Sequence, residues 1–215
     1  MVQGWIRNTP VGFKFCAKLP QQITHKKKLQ NIESDLEQFL DLIKPLSDAS
    51  KLGAILIQLP PSFTLQSSKT LESFFQLLPP DFSFAVEFRE KSWEQKETAK
   101  LLERYHISNV ITDSPLELNS GLTIDWAFVR YHGRGKKIWY DYKYSQEEMG
   151  KFAKKLEEIQ KETAIVYGYF NNHYGGDAVE NALQLIQLTG SLSSKQLELL
   201  NRFKSKTADL GSFMV

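Results

Sequence analysis

The chain has 215 residues, of which 41% are hydrophobic and 24% are charged, and this composition excludes intrinsic disorder and fibrous structure. A formal net charge of +2 is too small to indicate a nucleic-acid or membrane partner by itself, because only a clustered basic face would do so. The length suffices for one sizeable core, and we expect a single domain over residues 1–215.

The single cysteine, Cys16, excludes an intramolecular disulfide and a multi-cysteine zinc site, and it favours a reducing compartment. No apolar run approaches the ~20 residues that span a bilayer, and the first residues lack the apolar core of a signal peptide. We therefore expect a cytoplasmic protein without a membrane partner.

Short apolar runs alternate along the chain with longer segments of helical period, a pattern typical of repeated β-α units. Six runs rich in Val, Ile, Phe or Tyr predict strands, which in chain order are Gly12–Leu19, Ala54–Leu59, Phe82–Phe88, Ile107–Thr112, Ala127–His132 and Ile165–Phe170. The segments that follow them predict helices at about Leu29–Leu46, Ser67–Leu78, Trp93–Tyr105, Ser145–Lys161, Gly176–Leu188 and Lys195–Lys204.

Local sequence signals refine the prediction at two places in the chain. Ser145 with Glu148 three residues later forms a capping-box pattern, which predicts a helix start. The stretch 113–125 carries Pro115 and Gly121 and predicts a loop, so one crossover helix is short or missing.

Polar side chains end every predicted strand. Helices between successive strands require a parallel sheet, and ligands of parallel sheets bind beyond the carboxyl ends of the strands. We therefore expect these side chains to face a common cavity. They are Lys18, Gln58, Glu87 with Arg89, Asp113, Arg130 with His132, and Asn171.

Glu87 and Arg89 are two residues apart and so share one face of a strand. A cation this close holds the carboxylate ionised, which suits a general base or a ligand clamp; the alternative is an ion pair that only fills the interior. His132 adjoins a basic, glycine-containing loop and suits acid-base work, although a structural histidine is the alternative. A metal held by His132, Glu87 and Asp113 is chemically allowed, but no ligand spacing indicates one.

The other strand-end residues suit binding. Lys18 can pair with a carboxylate or contact a substrate phosphate, and Gln58 offers both a donor and an acceptor that position a substrate. Asp113 is a second candidate carboxylate, although an aspartate two residues before Pro115 is also a common turn former.

The segment 171–177 runs directly into a predicted helix. Paired glycines before a helix expose backbone N–H groups at its positive end, which suits an anion, whereas the alternative is that they only turn the chain. Arg130 and Arg134 are the expected charge partners. The sequence thus predicts catalytic roles for Glu87, His132, Lys18 and Asp113. It predicts binding roles for Arg89, Arg130, Arg134, Gln58, Asn171, Asn172, Gly175 and Gly176, and it identifies neither a metal site nor a cofactor.

Five segments together resemble the YecE-like family, also called domain of unknown function 72. They are FCAKLPQQITH (15–25), LGAILIQLPPSF (52–63), FAVEFREKSW (84–93), FVRYHGRG (128–135) and VYGYFNNHYGGDAVENA (166–182). The resemblance implies a TIM-type α/β barrel without an established activity, in which the loops after the last two strands often bind phosphate. Family members look as if they carry two further β-α units before residue 9, so the resemblance implies six of eight units and an incomplete or opened barrel.

Two open sheet edges would expose unpaired backbone, which folded proteins normally cover. The expected explanations are a shortened sequence, strands supplied by a second copy or another chain, or a smaller opened sheet covered by the C-terminal helix.

Three functions follow from these observations. The first is an enzyme acting on a small anionic or phosphorylated substrate by acid-base chemistry at the rim of the strands. The second is a nucleic-acid-binding or phosphodiester-cleaving protein that uses Arg134–Lys137, Trp139, Tyr140 and the lysines 26–28. The third is an inactive fragment or regulatory partner.

Overall fold

The structure, a computed structural model, describes residues 1–118, 121–190 and 192–212, with side chains described for 1–118, 121–190, 192–203 and 205. In these ranges the chain forms six strands and seven α-helices. In chain order they are α1 (Val2–Asn8), β1 (Phe15–Lys18), α2 (Glu33–Asp48), β2 (Leu52–Gln58), α3 (Ser68–Gln76), β3 (Phe84–Glu87), α4 (Lys96–Arg104), β4 (Ser108–Asp113), β5 (Trp126–Tyr131), α5 (Gln146–Glu162), β6 (Ile165–Phe170), α6 (Asp177–Thr189) and α7 (Ser194–Ser212).

The alternation of strands and helices agrees with the sequence pattern, and each of the six predicted strands has its counterpart. β3 and β5 are buried along their whole length, as expected for parallel strands covered on both faces. β1 is shorter than predicted, because Gly12 has a left-handed φ of +83° and the neighbouring Val11 is fully exposed. The chain becomes extended only from Phe15.

Two further segments differ from the prediction. The short helix α1 precedes β1, and a π-helical turn, Gln22–Lys26, follows it. The first helix predicted after β1, from Leu29, begins only at Glu33, because Leu29 and Asn31 adopt positive φ angles that are incompatible with an α-helix.

The strands form one six-stranded sheet in the order β1-β2-β3-β4-β5-β6. β1 pairs with β2, β2 with β3 and β3 with β4, all in parallel. In the register of β2 and β3, Gln58 lies opposite Glu87. The carboxyl ends of neighbouring strands therefore bring predicted site residues side by side.

The chain divides into two compact units. Unit 1 comprises Met1–Ile111 and Leu118–Phe128, and unit 2 comprises Thr112–Glu117 and the chain from Val129 onward. The expected single domain over 1–215 stays a prediction.

Unit 1 has a core of aliphatic and aromatic side chains from β2, β3 and the helices α2, α3 and α4. Trp93 stacks against Phe88 and Phe63 at centroid distances of 4.7 and 5.9 Å. Its indole Nε1 donates a hydrogen bond to the carbonyl oxygen of Phe63 at 2.7 Å, so this buried polar atom is satisfied. The cluster packs the segment that follows β3.

In unit 2, α5 packs against α6 and β6, and α6 also contacts α7. Tyr131 of β5 stacks on Phe170 of β6 at 4.4 Å and lies 4.5 Å from Phe152 of α5. The predicted capping box is present, with Ser145 and Glu148 each bonding the other's backbone N–H. These contacts fix the start of α5 beside β5 and β6.

The loop prediction for 113–125 agrees with the structure: 114–118 and 121–125 contain neither helix nor strand, and positions 119 and 120 lie outside the described residues. Among the described residues, none of the helices combines the length and the apolar character needed to cross a membrane.

Candidate active site

Three predicted site residues of unit 1 end neighbouring strands. Lys18 is the last residue of β1, Gln58 of β2 and Glu87 of β3. Because these strands are parallel and Gln58 is in register with Glu87, all three residues lie at the same end of this part of the sheet.

Glu87 and Arg89 form a buried ion pair. The side chain of Glu87 is completely buried and that of Arg89 is 9% exposed, and Arg89 Nε lies 2.5 Å from Glu87 Oε1. A guanidinium this close favours the charged form of a carboxylate, whereas complete burial opposes it. The site thus contains a buried, oriented carboxylate, as the two-residue spacing predicts.

His25 belongs to the same region, although no sequence signal indicated a role for it. It lies half-buried in the π-helical turn after β1, with Nδ1 2.8 Å from Thr24 Oγ1. Burial lowers the pKa of His25 below its ordinary value, and the positive charges of Lys18 and Arg89 lower it further. His25 therefore experiences a positive potential at the carboxyl ends of β1–β3.

In unit 2, Asp113 holds the loop that follows β5. Tyr144 Oη donates to Asp113 Oδ2 at 2.7 Å, and Arg134 donates to both carboxylate oxygens. The same Tyr144 hydroxyl accepts a hydrogen bond from the backbone N–H of Gly133 at 2.7 Å. Burial and the nearby Asp113 raise the pKa of Tyr144, so the phenol remains a donor. The carboxylate of Asp113 is thus engaged in structural contacts.

Glu148 adds a second anchor for this loop. Its carboxylate accepts hydrogen bonds from Tyr142 Oη at 2.7 Å and from the backbone and hydroxyl of Ser145, and it lies 3.7 Å from Arg134 Nη1. Burial alone would raise the pKa of Glu148, but these hydrogen bonds and the arginine charge lower it overall. Ionised Glu148 therefore stabilises the fold.

We expect Glu148→Gln to lower the free energy of unfolding at pH 7 by about 1–2 kcal/mol, because it removes an ionised cap and its charge-assisted hydrogen bonds. Since folding lowers the pKa of Glu148 from 4.5, this stability is fully present above pH 4.5 and is lost as the pH falls through the folded-state pKa. Urea unfolding of wild type and variant between pH 3 and pH 7 measures the difference.

The matched control is Glu147→Gln, because Glu147 is exposed and contacts only Lys151 among the described residues. A loss that is equal for both variants, or one that persists unchanged to pH 3, would contradict the role of Glu148.

Three polar residues meet at the ends of β5 and β6. His132 is completely buried and Asn171 is half-buried, whereas His173 is exposed. Asn171 Nδ2 lies 3.3 Å from His132 Nδ1, and His173 Nδ1 lies 2.7 Å from the backbone oxygen of Asn171. Tyr140 stacks on His173 with ring centroids 5.4 Å apart, and its ring lies 6.3 Å from that of His132.

The side chain of Asn172 links the loop after β5 to α6. Its Nδ2 donates to the backbone oxygen of Tyr142 and to Asn181 Oδ1, both at 2.9 Å. The Asn181 side chain in turn bonds both backbone polar groups of Tyr144. The buried Oδ1 of Asn172 accepts no hydrogen bond from the described residues, so it could accept one from a ligand. The predicted binding role of Asn172 stays a prediction.

The glycines before α6 lie among carboxylates. Gly176 caps the helix with a left-handed φ of +80°, and Asp177 and Glu180 occupy the first turn. Lys143 Nζ lies 2.5 Å from Glu180 Oε2 and 3.8 Å from Asp177 Oδ1. Burial raises the pKa of Asp177. The anion role predicted for Gly175 and Gly176 stays a prediction, and these carboxylates weaken the potential on which it depends.

The two arginines of unit 2 differ in their surroundings. Arg130 is 9% exposed and lies within β5. Arg134 has a half-exposed side chain and is paired with Asp113 and Glu148. Within the described part of the chain, no group of three or more His, Cys, Asp or Glu residues could hold a metal ion.

The family model described as "Protein of unknown function DUF72" matches residues 1–205. The chain belongs to the DUF72 family. It is 27% identical over 229 residues to the UPF0759 protein YunF of Bacillus subtilis, covering 91% of this chain and 81% of YunF. The UPF0759 protein YecE of Escherichia coli K12 is 30% identical over 119 residues, which cover 53% of this chain and 43% of YecE.

Solved structures of DUF72 proteins share the fold. The DUF72 protein from Thermotoga maritima has a TM-score of 0.78 at 33% sequence identity, covering 86% of this chain and 77% of that one. A DUF72 protein from Enterococcus faecalis has a TM-score of 0.80 at 25% identity, covering 90% and 80% of the two chains. The predicted YecE-like family is confirmed, and so is the predicted fold class, an incomplete TIM-type α/β barrel with six of eight β-α units.

Proposed function

We propose that this DUF72 protein is an enzyme that acts on a small anionic substrate, phosphorylated compounds foremost, by acid-base chemistry at the carboxyl ends of the strands. The observation that carries the proposal is the buried Glu87–Arg89 ion pair at the end of β3, with Gln58 in register beside it. Burying a charge pair is costly, and such pairs are common where a carboxylate must be held in one protonation state and one orientation.

Cationic residues at the strand ends of unit 1 support an anionic substrate. Arg89 lies beside Glu87 at the end of β3, and Lys18 ends β1. His25 experiences the positive charges of both Lys18 and Arg89. Lys18 is exposed at the end of β1, where a flexible ammonium group can contact a phosphate or carboxylate.

Each residue at the strand ends has a proposed role. In unit 1, Glu87 is proposed as the general base and Gln58 as the residue that orients the substrate. In unit 2, taken by itself, His132 is proposed as a proton-transfer group. Arg130, Asn171, Asn172, Gly175 and Gly176 are retained as binding residues. Asp113 and Arg134 are assigned to holding the loop after β5, because their charged groups bond each other and Tyr144.

The test is the binding of inorganic phosphate, measured by calorimetry and by the rise in melting temperature that any native-state ligand causes. We expect Lys18→Gln to weaken phosphate binding by about tenfold, or about 1.4 kcal/mol, because a charge-assisted contact is lost. Lys26→Gln is the matched control, because Lys26 is an exposed lysine of the adjacent π-helical turn. Equal affinities for the two variants would contradict the proposed anion site.

Nucleic-acid binding is the second candidate. The exposed Lys136, Lys137 and Ile138 adjoin Tyr140, whose ring stacks on His173, and such a surface can contact phosphates and bases. Arg134 supports this function less, because it is paired with Asp113 and Glu148. Oligonucleotide binding that weakens steeply with added salt would favour this candidate over the first.

The expected partner chain stays a proposal. β1 lies at one end of the strand order, and Trp5 and Phe13 nearby in the chain are each 43% exposed. We propose that a second copy or another chain pairs with this edge, since unpaired strand edges are normally covered. A monomer by light scattering at micromolar concentration would contradict pairing between copies. The cytoplasmic location stays a prediction.

A further inference from the structure

Asn171 contacts two histidine rings through two different groups. Its side-chain Nδ2 lies 3.3 Å from Nδ1 of His132, while its backbone oxygen lies 2.7 Å from Nδ1 of His173. Asn171 directly follows β6, and its backbone N–H donates to the carbonyl oxygen of Tyr131 at 2.7 Å. This bond holds Asn171 against the end of β5, one residue before His132.

The two contacts have opposite polarity. An amide Nδ2 carries only hydrogens and donates, so Nδ1 of His132 must accept, and a neutral His132 ring then carries its proton on Nε2. A backbone carbonyl oxygen only accepts, so Nδ1 of His173 must donate, and the lone pair of a neutral His173 ring lies on Nε2. Asn171 thus favours a different tautomer in each of the two rings.

We infer that Asn171 favours opposite tautomers in His132 and His173, which leaves Nε2 of the exposed His173 as a proton acceptor at this end of β5 and β6. The inference extends the proposed acid-base function and rests on it. Asn171 becomes a positioning residue in addition to its predicted binding role. His173, which no sequence signal selected, becomes the proton acceptor.

His173 can accept a proton from a substrate. A proton passes from a substrate O–H or C–H group to Nε2 of His173, and the bonding electrons stay on the substrate. The positive ring that results is stabilised by its Nδ1–H bond to the carbonyl of Asn171.

The surroundings agree with these roles. His173 is exposed, as a group that meets a substrate must be, and its ring is held by stacking on Tyr140 at 5.4 Å. His132 is completely buried, so the tautomer of its ring reports on the contact with the Asn171 amide. A metal bound by Nε2 of both rings does not fit, because a neutral His132 that accepts at Nδ1 has its Nε2 protonated.

The experiment is a long-range ¹H–¹⁵N correlation spectrum of the histidine rings, recorded near pH 8, more than one unit above the ordinary histidine pKa of about 6.5. The spectrum distinguishes the protonated nitrogen of each ring and requires no substrate. In the wild-type protein we expect Nε2–H for His132 and Nδ1–H for His173. The same tautomer on both rings would overturn the inference.

Two variants separate the two contacts. Asn171→Ala removes the side-chain donor but keeps the backbone carbonyl, so we expect His132 to lose its exclusive Nε2–H form while His173 stays Nδ1–H. Asn171→Asp replaces the donor by an acceptor, so we expect His132 to change to Nδ1–H. Unchanged His132 signals in both folded variants would overturn the inference.

The wild-type spectrum remains decisive if a variant fails to fold. The tautomers are also measured independently of the proposed function, which is tested by phosphate binding to unit 1. If the protein did not bind phosphate but the two rings had opposite tautomers, the proposed substrate class would be wrong. The inference about Asn171 and the two histidines would still hold.

Discussion

Replacing Glu87 by leucine is expected to lower the free energy of unfolding by about 3–5 kcal/mol, which is the usual cost of removing one partner of a buried ion pair. Arg89 would then retain a charge on a side chain that is only 9% exposed, with its Nε facing the position of the lost carboxylate oxygen. Urea unfolding followed by circular dichroism measures the loss.

The double variant Glu87→Leu with Arg89→Met is the matched control. Because it removes both charges and keeps similar volumes, we expect it to recover most of the stability lost by the single variant. If the double variant were no more stable than Glu87→Leu, the loss would reflect packing at Glu87, and the ion pair would not be what holds this residue in place.

Replacing Gly133 by alanine is expected to cost about 2–5 kcal/mol, combining the strain of a left-handed backbone with a steric overlap. Gly133 has a φ of +82°, and an added Cβ would overlap the backbone oxygen of Trp139. Its N–H also donates to Tyr144 Oη, so a shift of the loop would disturb that bond. Thermal unfolding measures the effect.

Replacing Gly150 by alanine is expected to have the opposite effect on stability. Gly150 lies within α5, and an added Cβ would meet nothing within 4 Å. Alanine there is expected to stabilise the protein by about 0.5–1 kcal/mol. If both substitutions changed the free energy of unfolding in the same direction and by the same amount, the tight folding of the loop around Gly133 would be contradicted.

The strands of this fold could be predicted because their burial leaves a direct trace in composition. Strands covered on both faces are continuous apolar runs, as in β3 and β5. β6 has no buried residue, and its bounds, Ile165–Phe170, were predicted from its β-branched and aromatic residues. The capping box of α5 was also predictable, since Ser145 and Glu148 are only three residues apart. Glu87 and Arg89 could be paired for the same local reason.

Other features depend on contacts that the sequence pattern does not encode. The helix α1 has one buried residue, Val2, and so lacks an amphipathic period of useful length. His25 reaches the strand ends only through a π-helical turn, a geometry without a sequence signature. The bond between Tyr144 and Asp113 spans 31 residues, and nothing near Asp113 in the chain reveals that its carboxylate is already engaged.

We propose that the carboxyl ends of β1–β3 form an anion site. The most direct test is the pKa of His25, measured by nuclear magnetic resonance with and without saturating sulfate, an anion whose charge does not change between pH 5 and pH 8. Without sulfate we expect a pKa below 6.5, because burial and the charges of Lys18 and Arg89 lower it. Bound sulfate should offset those charges and raise the pKa of His25, so binding should strengthen as the pH falls. A His25 pKa that sulfate leaves unchanged would contradict the claim.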